Sequence, residues 1–175
     1  YAQLYGFDYT DTFAPTLHSS SLRLLVILSL SSPGHIIDQL DVKSAFLNAP
    51  LSDDVYMNIP DGMSGPSDHC VKLLKALYGI KQAPLAWHVD IDSTLRSLSF
   101  IPCEKESCLY FLFVDDNHRI IIGLFVDDII VSYHSSIKDK WFSIKSQILA
   151  KYKTTDLGLA QHVLGMRIVQ SSSSI

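Results

Sequence analysis

The 175-residue sequence contains few charged residues, few cysteines and no long uninterrupted apolar run. Charged residues make up 18% of the chain and hydrophobic residues 47%, which is typical of a globular protein and excludes an intrinsically disordered one. The longest apolar run, 24–30, is interrupted by Ser29 and is far too short to span a bilayer. We therefore expect one domain with a sizeable core and no membrane segment.

The three cysteines, Cys70, Cys103 and Cys108, contain no CxxC pair, and no histidines cluster near them. A structural zinc site needs about four ligands, so free thiols in a reducing compartment are expected. The net charge of −4 argues against a free-standing nucleic-acid binder, although a basic surface can lie on segments outside this sequence. Because the chain starts at Tyr1 without Met and shows no signal peptide, we expect its true N-terminus to lie upstream.

The most informative stretch is 119–133, RIIIGLFVDDIIVSY. Two apolar runs rich in β-branched residues flank Asp127 and Asp128, which predicts two strands joined by a tight turn. Two adjacent carboxylates near an apolar core repel each other unless a cation is present. Hard oxygen ligands of this kind suit Mg²⁺ or Mn²⁺.

The same four letters, Phe-Val-Asp-Asp, also occur at 113–116 and provide an internal control. There the aspartates are followed by polar, turn-forming residues, so we expect a solvated hairpin loop. The second pair is followed directly by the apolar run 129–131, which places its turn against the core. The second pair is therefore the candidate site.

A third acid, Asp41, ends the predicted strand 35–42, whereas Asp38 lies in the middle of that strand and is expected to point elsewhere. Three carboxylates at strand ends of one sheet can hold two divalent ions roughly 3.5–4 Å apart, as in in-line phosphoryl transfer. A hairpin turn without any ligand also fits Asp127 and Asp128. The acidic pocket of receiver domains is a second alternative, but it requires repeating βα units that this sequence does not show.

The predicted order of elements indicates an α+β fold with a mostly antiparallel sheet flanked by helices, because strands are not regularly followed by helices. The helix over 22–31 is apolar on most faces and is expected to be buried, with its N-terminus capped within 19–21. The last helix carries an apolar stripe and, on its other face, lysines that include Lys145 and are expected to be solvated. The predicted elements are a helix over 22–31, strands over 35–42, 55–59 and 71–74, a helix from Pro84, strands over 108–114, 120–126 and 129–132, a helix over 137–152, and short strands within 162–169.

Several segments resemble, in order, the motifs of copia-type LTR retrotransposon reverse transcriptases. The segment 39–48, QLDVKSAFLN, resembles the first catalytic motif, 77–87 resembles the "LYGLKQAPRAW" block, and 125–128 resembles the "YVDD" box. The letters VDD alone would be weak evidence for the family, but the ordered set of motifs covers essentially the whole chain and is specific. The chain is therefore identified as a partial member of that family, 1–175, with a frayed tail over 171–175.

The resemblance implies a right-hand polymerase palm with part of the fingers, which copies RNA or DNA into DNA with two Mg²⁺ or Mn²⁺ ions. It implies that Asp41, Asp127 and Asp128 are the catalytic, metal-binding triad and that the Val42 carbonyl helps to hold the nucleotide metal. Phe46 matches the steric gate that clashes with a ribonucleotide 2′-OH. Further implied contacts are to the incoming dNTP by Tyr78 and Gly79, and to the template and primer by Lys81, Gln82 and Gly165.

The implied partners are an RNA or DNA template-primer, dNTPs and the rest of the retrotransposon polyprotein, including integrase and RNase H. The implied location is intracellular, in a cytoplasmic virus-like particle or the nucleus, and the oligomeric state is left open. Three departures from the family pattern are Phe125 in place of Tyr, Leu85 in place of Arg, and the segment 103–107 in place of "SxxD". By the same resemblance, we expect the upstream fingers, the thumb and RNase H to lie outside this sequence. The alternative hypothesis is a catalytically inert retroelement relic or a nucleic-acid-binding module that retains the palm fold.

Overall fold

The computed structural model describes residues 3–7, 9–66 and 68–170. The tail over 171–175, which was predicted to be frayed, lies outside those residues. The described chain mixes helices and strands as predicted, with a mostly antiparallel sheet flanked by helices. The elements are α1 Ser19–Ser31, β1 His35–Val42, a 3₁₀ helix Ala45–Asn48, β2 Pro50–Asn58, β3 Cys70–Lys75, α2 Ala83–Ser97, β4 Ile101–Cys103, β5 Glu106–Phe113, β6 Arg119–Phe125, β7 Asp128–His134, a 3₁₀ helix Ser135–Ile137, α3 Lys138–Lys151, β8 Thr154–Leu159, β9 His162–Val163 and β10 Met166–Arg167.

The chain divides into two compact units, which we describe separately. The first consists of Tyr1–Ala14 and Ser44–Asp92, and the second of Pro15–Lys43 and Ser93–Ile175. In the first unit, β2 and β3 form a two-stranded antiparallel sheet. In the second unit, six antiparallel strands form one sheet in the order β4-β5-β6-β7-β1-β8, and β9 pairs with β10.

Helices α1 and α3 pack on opposite faces of the six-stranded sheet. Ser29 of α1 lies 2.6 Å, oxygen to oxygen, from Ser132 of β7, which is paired with Ile37 of β1. Trp141 of α3 donates from Nε1 to Asp38, the neighbour of Ile37 on β1. Because successive side chains of a strand point to opposite faces, these two contacts place the helices on opposite sides. The central apolar residues of β7, 129–131, are fully buried between them.

The prediction that α1 is buried on most faces was wrong. Its buried residues recur at helical spacing along a single stripe, while the side chains of Leu24, Ile27 and Leu28 are more than half exposed. The predicted serine cap was also wrong, because the N-cap residue is His18 and Glu106 of β5 binds the start of the helix. The Glu106 Oε2 accepts hydrogen bonds from the His18 backbone N–H at 3.2 Å and from the Ser21 hydroxyl at 2.8 Å.

The sequence patterns overlooked strands β4 and β8. β4 has only three residues and contains Pro102, and β8 contains Asp156 and Gly158, residues that are rare in strands. β8 forms nevertheless, because it pairs with β1 at the edge of the sheet. Its strand character comes from that pairing rather than from local propensity.

Two expectations from composition concern cysteines and membrane spans. All three cysteines are free, as expected, and Cys108 is buried. Within the described residues, no helix has the length and apolar character needed to cross a membrane.

Candidate active site

The three predicted acids of the second unit lie at neighbouring ends of β1 and β7 and in the turn between β6 and β7. Asp41 of β1 lies directly opposite Asp128 of β7 in the antiparallel register. Side chains at directly opposite positions share one face, with Cβ atoms about 4.5–5.5 Å apart. Phe125 of β6 pairs with Asp128 and leaves Val126 and Asp127 as a two-residue turn. The Val42 backbone N–H donates to the Asp127 carbonyl at 2.8 Å, which ties that turn to β1.

The turn that carries Asp127 has an unusual backbone. Val126 adopts a φ of 51°, a left-handed conformation that is costly for a β-branched residue. Such strain persists only where surrounding contacts impose it, and it is found at functional sites more often than elsewhere. Here the β6–β7 pairing and the bond from Val42 impose it.

Asp128 is half-buried, and the pKa of its carboxyl lies above the usual value. Burial is the largest cause, because it penalises the charged form. A hydrogen bond from Gln39 Nε2 to Asp128 Oδ1, at 2.9 Å, acts in the opposite direction, and the negative charges of Asp127 and Asp41 raise the pKa further. A cation bound at these carboxylates would offset both the burial and the repulsion.

The donor set suits a divalent metal ion but is not a preformed cage. Across 3–7, 9–66 and 68–170, no group of three or more His, Cys, Asp or Glu side chains is arranged to hold a metal ion. Asp41, Asp127 and Asp128 nevertheless supply three hard carboxylate oxygen donors, the type that Mg²⁺ and Mn²⁺ prefer.

The first Phe-Val-Asp-Asp segment has a different environment, as predicted. Asp115 lies in the exposed loop between β5 and β6, and its Oδ1 accepts from the backbone N–H groups of Asn117 and His118, each at 2.8 Å. The His118 ring lies 3.0 Å from the same carboxylate. These donors, the Asn117 N–H foremost, hold the pKa of Asp115 below its usual value. This aspartate stabilises its own loop.

In the first unit, Phe46 and Tyr78 pack against each other with ring centroids 4.8 Å apart. Phe46 is buried, whereas the residue exposure of Tyr78 is 89%. Gly79 has a φ of 104°, and a Cβ there would meet nothing within 4 Å. Its glycine character therefore serves the backbone conformation, and it lines a cavity of about 350 Å³ beside β2 and β3.

Lys81 and Gln82 are both held by Gln3. The Lys81 backbone N–H donates to Gln3 Oε1 at 2.7 Å, and Gln3 Nε2 donates to Gln82 Oε1 at 2.9 Å. The Lys81 side chain is exposed, but Gln82 is buried. The polar group of Gln82 therefore faces the chain itself rather than solvent.

Gly165, in the second unit, lies in the two-residue turn between β9 and β10. Leu164 and Gly165 have φ values of 44° and 79°, the positive-φ pair that a type I′ hairpin turn needs. The short strands predicted within 162–169 are β9 and β10, and the pairing of Val163 with Met166 joins them into a hairpin. The structure gives Gly165 a conformational role.

Comparisons with known proteins agree with the motifs. The sequence matches the family described as reverse transcriptase (RNA-dependent DNA polymerase) over residues 1–175. The chain belongs to this family. Similar proteins include the retrovirus-related Pol polyprotein from transposon TNT 1-94 of Nicotiana tabacum, 35% identical over 99% of this chain and 13% of that protein. No solved structure gives a significant match.

Two further relatives are shorter matches. The Pol polyprotein from transposon RE1 of Arabidopsis thaliana is 38% identical over 75% of this chain and 9% of its own length. The putative transposon Ty5-1 protein of Saccharomyces cerevisiae is 36% identical over 77% of this chain and 43% of its own length. The chain thus spans less than half of each of these relatives. The predicted resemblance to copia-type reverse transcriptases is confirmed.

Sequence reasoning missed two polar contacts in this reverse transcriptase segment. Gln39, two residues before Asp41 and on the same face of β1, bonds to Asp128. On the other face, Asp38 is buried with Trp141 Nε1 at 2.8 Å and Lys145 Nζ at 3.1 Å, so Lys145 is not solvated as predicted. Period-two alternation could have assigned Gln39 to the face of Asp41, but no sequence signal pairs Lys145 with Asp38.

Proposed function

We propose that this chain is the catalytic palm, with part of the fingers, of an RNA-directed DNA polymerase encoded by a copia-type LTR retrotransposon. The observation that carries the proposal is the direct cross-strand pairing of Asp41 with Asp128, beside the turn that presents Asp127. Membership of the reverse transcriptase family supports it, and that family generally uses divalent metal ions. The proposed reaction is attack of a primer 3′-OH on the α-phosphate of a dNTP, which forms a phosphodiester bond, breaks the bond between the α- and β-phosphates and releases pyrophosphate.

The three aspartates would hold two Mg²⁺ or Mn²⁺ ions. When bound, such ions lower the pKa of an attacking hydroxyl and stabilise negative charge on the phosphate. The carboxylates lie where β1 ends and β7 begins, and the β1–β7 register places Asp41 and Asp128 opposite each other. The Val42 N–H holds the Asp127 turn, and the Val42 carbonyl is proposed to assist the nucleotide metal.

The proposed contacts to the nucleotide lie in the first unit. Phe46, held by its packing with Tyr78, would form the wall that clashes with a 2′-OH and so selects dNTPs. The exposed ring of Tyr78 and the open space beside Gly79 would face the nucleotide and the template. Both features are compatible with close approach of a planar base.

The proposed contacts to template and primer come from Lys81, Gln82 and the Leu164–Gly165 turn. Lys81 is exposed and can pair with a phosphate, whereas the buried Gln82 would act through Gln3 by fixing the loop that carries Lys81. The Leu164–Gly165 turn would contact the primer end. The relatives are Pol polyproteins, so the remaining nucleic-acid surface would come from other segments of such a polyprotein.

Primer extension by the polyprotein that contains this chain, with Mg²⁺ or Mn²⁺, tests the proposal. Asp127→Asn should lower the rate by at least roughly 100-fold, the cost typical of losing a group that stabilises transition-state charge. Asp115→Asn, in the solvated copy of the same four letters, is the matched control and should retain the wild-type rate. A folded wild type without any extension would instead favour the inert relic.

A further inference from the structure

Gln39 is a buried polar residue at the start of the segment 39–48, and the family resemblance implied no role for it. It lies two positions before Asp41 on β1, so both side chains are on the same face of the sheet. In the register, Gln39 is opposite Ile130, two positions from Asp128 on β7. The residue is only 8% exposed. A buried amide is costly unless its polar atoms are bonded, so its partner is informative.

The partner of Gln39 is the carboxylate of Asp128. Gln39 Nε2 donates to Asp128 Oδ1 at 2.9 Å, which is an ordinary distance for a hydrogen bond to a carboxylate. The bond engages one of the two carboxylate oxygens and so restricts rotation of the carboxylate. The other oxygen is then presented in a defined direction.

The chemical type of the donor matters as much as its position. Asp38, on the other face of the same strand, is paired with the cation of Lys145. A lysine beside Asp128 would satisfy the carboxylate but would also repel an incoming metal ion. The amide of Gln39 is neutral, so it can orient the carboxylate without competing for its charge.

We propose that Gln39 is a positioning residue that orients the Asp128 carboxylate for binding a divalent cation. The inference rests on the proposed function, because it assigns Gln39 to the metal-binding carboxylates of that same site. Residues that hydrogen-bond to metal ligands typically change metal affinity by about 10–100-fold when they are removed. A comparable loss is expected on removal of the Gln39 amide.

The first test measures Mn²⁺ binding to the polyprotein that contains this chain, by the electron paramagnetic resonance signal of free Mn²⁺. Gln39→Met removes the donor at nearly constant length and should weaken Mn²⁺ binding about 10-fold. Gln39→Lys keeps a donor but adds a charge, and should weaken binding at least as much. Gln147→Met is the control, because Gln147 is exposed on α3 and bonds only within its own helix turn, to the Ser143 carbonyl.

The second readout is the Mg²⁺ dependence of primer extension. In Gln39→Met the Mg²⁺ concentration for half-maximal rate should rise about 10-fold, and the rate at saturating Mg²⁺ should largely recover. A merely structural role would lower the melting temperature and leave the Mg²⁺ requirement of the folded enzyme unchanged. If Gln39→Met does not fold, Gln39→Asn, which is one methylene shorter, carries the same expectation.

The outcomes separate this inference from the proposed function. Wild-type extension together with unchanged Mn²⁺ affinity in folded Gln39→Met would overturn the role of Gln39 and leave the polymerase standing. A folded wild type that binds Mn²⁺ but extends no primer would overturn the polymerase proposal, while weakened binding in Gln39→Met would still support the positioning role. A wild type that binds no Mn²⁺ would overturn both.

Discussion

The segments 113–116 and 125–128 have the same four letters, and both lead out of a strand into a hairpin connection. In the first, the loop's own N–H groups surround Asp115 and hold the pKa of its carboxyl low. In the second, Asp128 starts a buried strand opposite Asp41, and the pKa of its carboxyl is raised, by burial first and then by neighbouring charge. In one place the tetrapeptide thus forms a loop whose own N–H groups bind the Asp115 carboxylate. In the other place it contributes a half-buried carboxylate that lies near two further negative charges.

Asp38 extends the comparison to a third aspartate. Its side chain is buried, and the ammonium Nζ of Lys145, a residue that is 7% exposed, lies 3.1 Å from Asp38 Oδ2. Lys145 also pairs with Asp156 of β8 at 2.9 Å, so one lysine joins two neighbouring strands to α3. For Asp128 the described contact is a neutral amide. A lysine of α3 therefore neutralises the buried Asp38, whereas the half-buried Asp128 has a neutral amide beside it.

Removing the internal cation should produce the largest effect on stability. Lys145→Met leaves the buried charge of Asp38 uncompensated and should lower the free energy of unfolding by about 3–5 kcal/mol. Urea denaturation measures the change. The double variant Asp38→Asn/Lys145→Met should recover much of the loss. A change within about 1 kcal/mol, as for an exposed ion pair, would show that Asp38 does not depend on Lys145.

The backbone difference between the two segments can be tested at their valines. Val126 has a φ of 51°, whereas Val114 does not have a positive φ. Val126→Gly relieves the strain and should raise the free energy of unfolding by about 1 kcal/mol. Val114→Gly gains no such relief and should lower it by about 1 kcal/mol. Parallel thermal or urea unfolding compares them, and equal losses in both variants would mean that the Val126 turn is not strained.

The smallest expected effect is the pH dependence of the stability that the exposed Asp115 contributes. The pKa of Asp115 in the folded protein is lowered, so its ionised form adds stability above the unfolded pKa of about 3.9. That contribution disappears as the pH falls through the folded pKa. Asp115→Asn should therefore be slightly less stable than wild type at pH 7, and the difference should shrink toward pH 3.

Urea midpoints at a series of pH values measure this dependence. Asp116→Asn, at the neighbouring position of the same loop, is the control for net charge, because it removes one carboxylate and keeps the Asp115 acceptor of the Asn117 and His118 N–H groups. A difference between wild type and Asp115→Asn that stays constant from pH 7 to pH 3 would contradict the proposed role of the carboxylate.

Much of the fold could be predicted from local pattern. The apolar stripe predicted over 137–152 is buried as its helical spacing indicated, and it consists of three residues of α3 and one at each end, namely Ile137, Trp141, Ile144, Ile148 and Tyr152. The strands around both Phe-Val-Asp-Asp segments also formed where β-branched runs placed them. These features succeed because period and propensity act over a few neighbouring residues.

The sequence by itself determined the family, the class of fold and the difference between a polar turn at 115–118 and a turn followed by a core strand at 126–129. Tertiary structure alone decided that Asp41 lies opposite Asp128, that Glu106 binds the start of α1, that Lys145 turns inward to Asp38 and that Gln39 bonds to Asp128. The partners in these pairs are between 85 and 107 positions apart along the chain. Such contacts depend on the register of strands and the packing of helices, which local residue patterns do not encode.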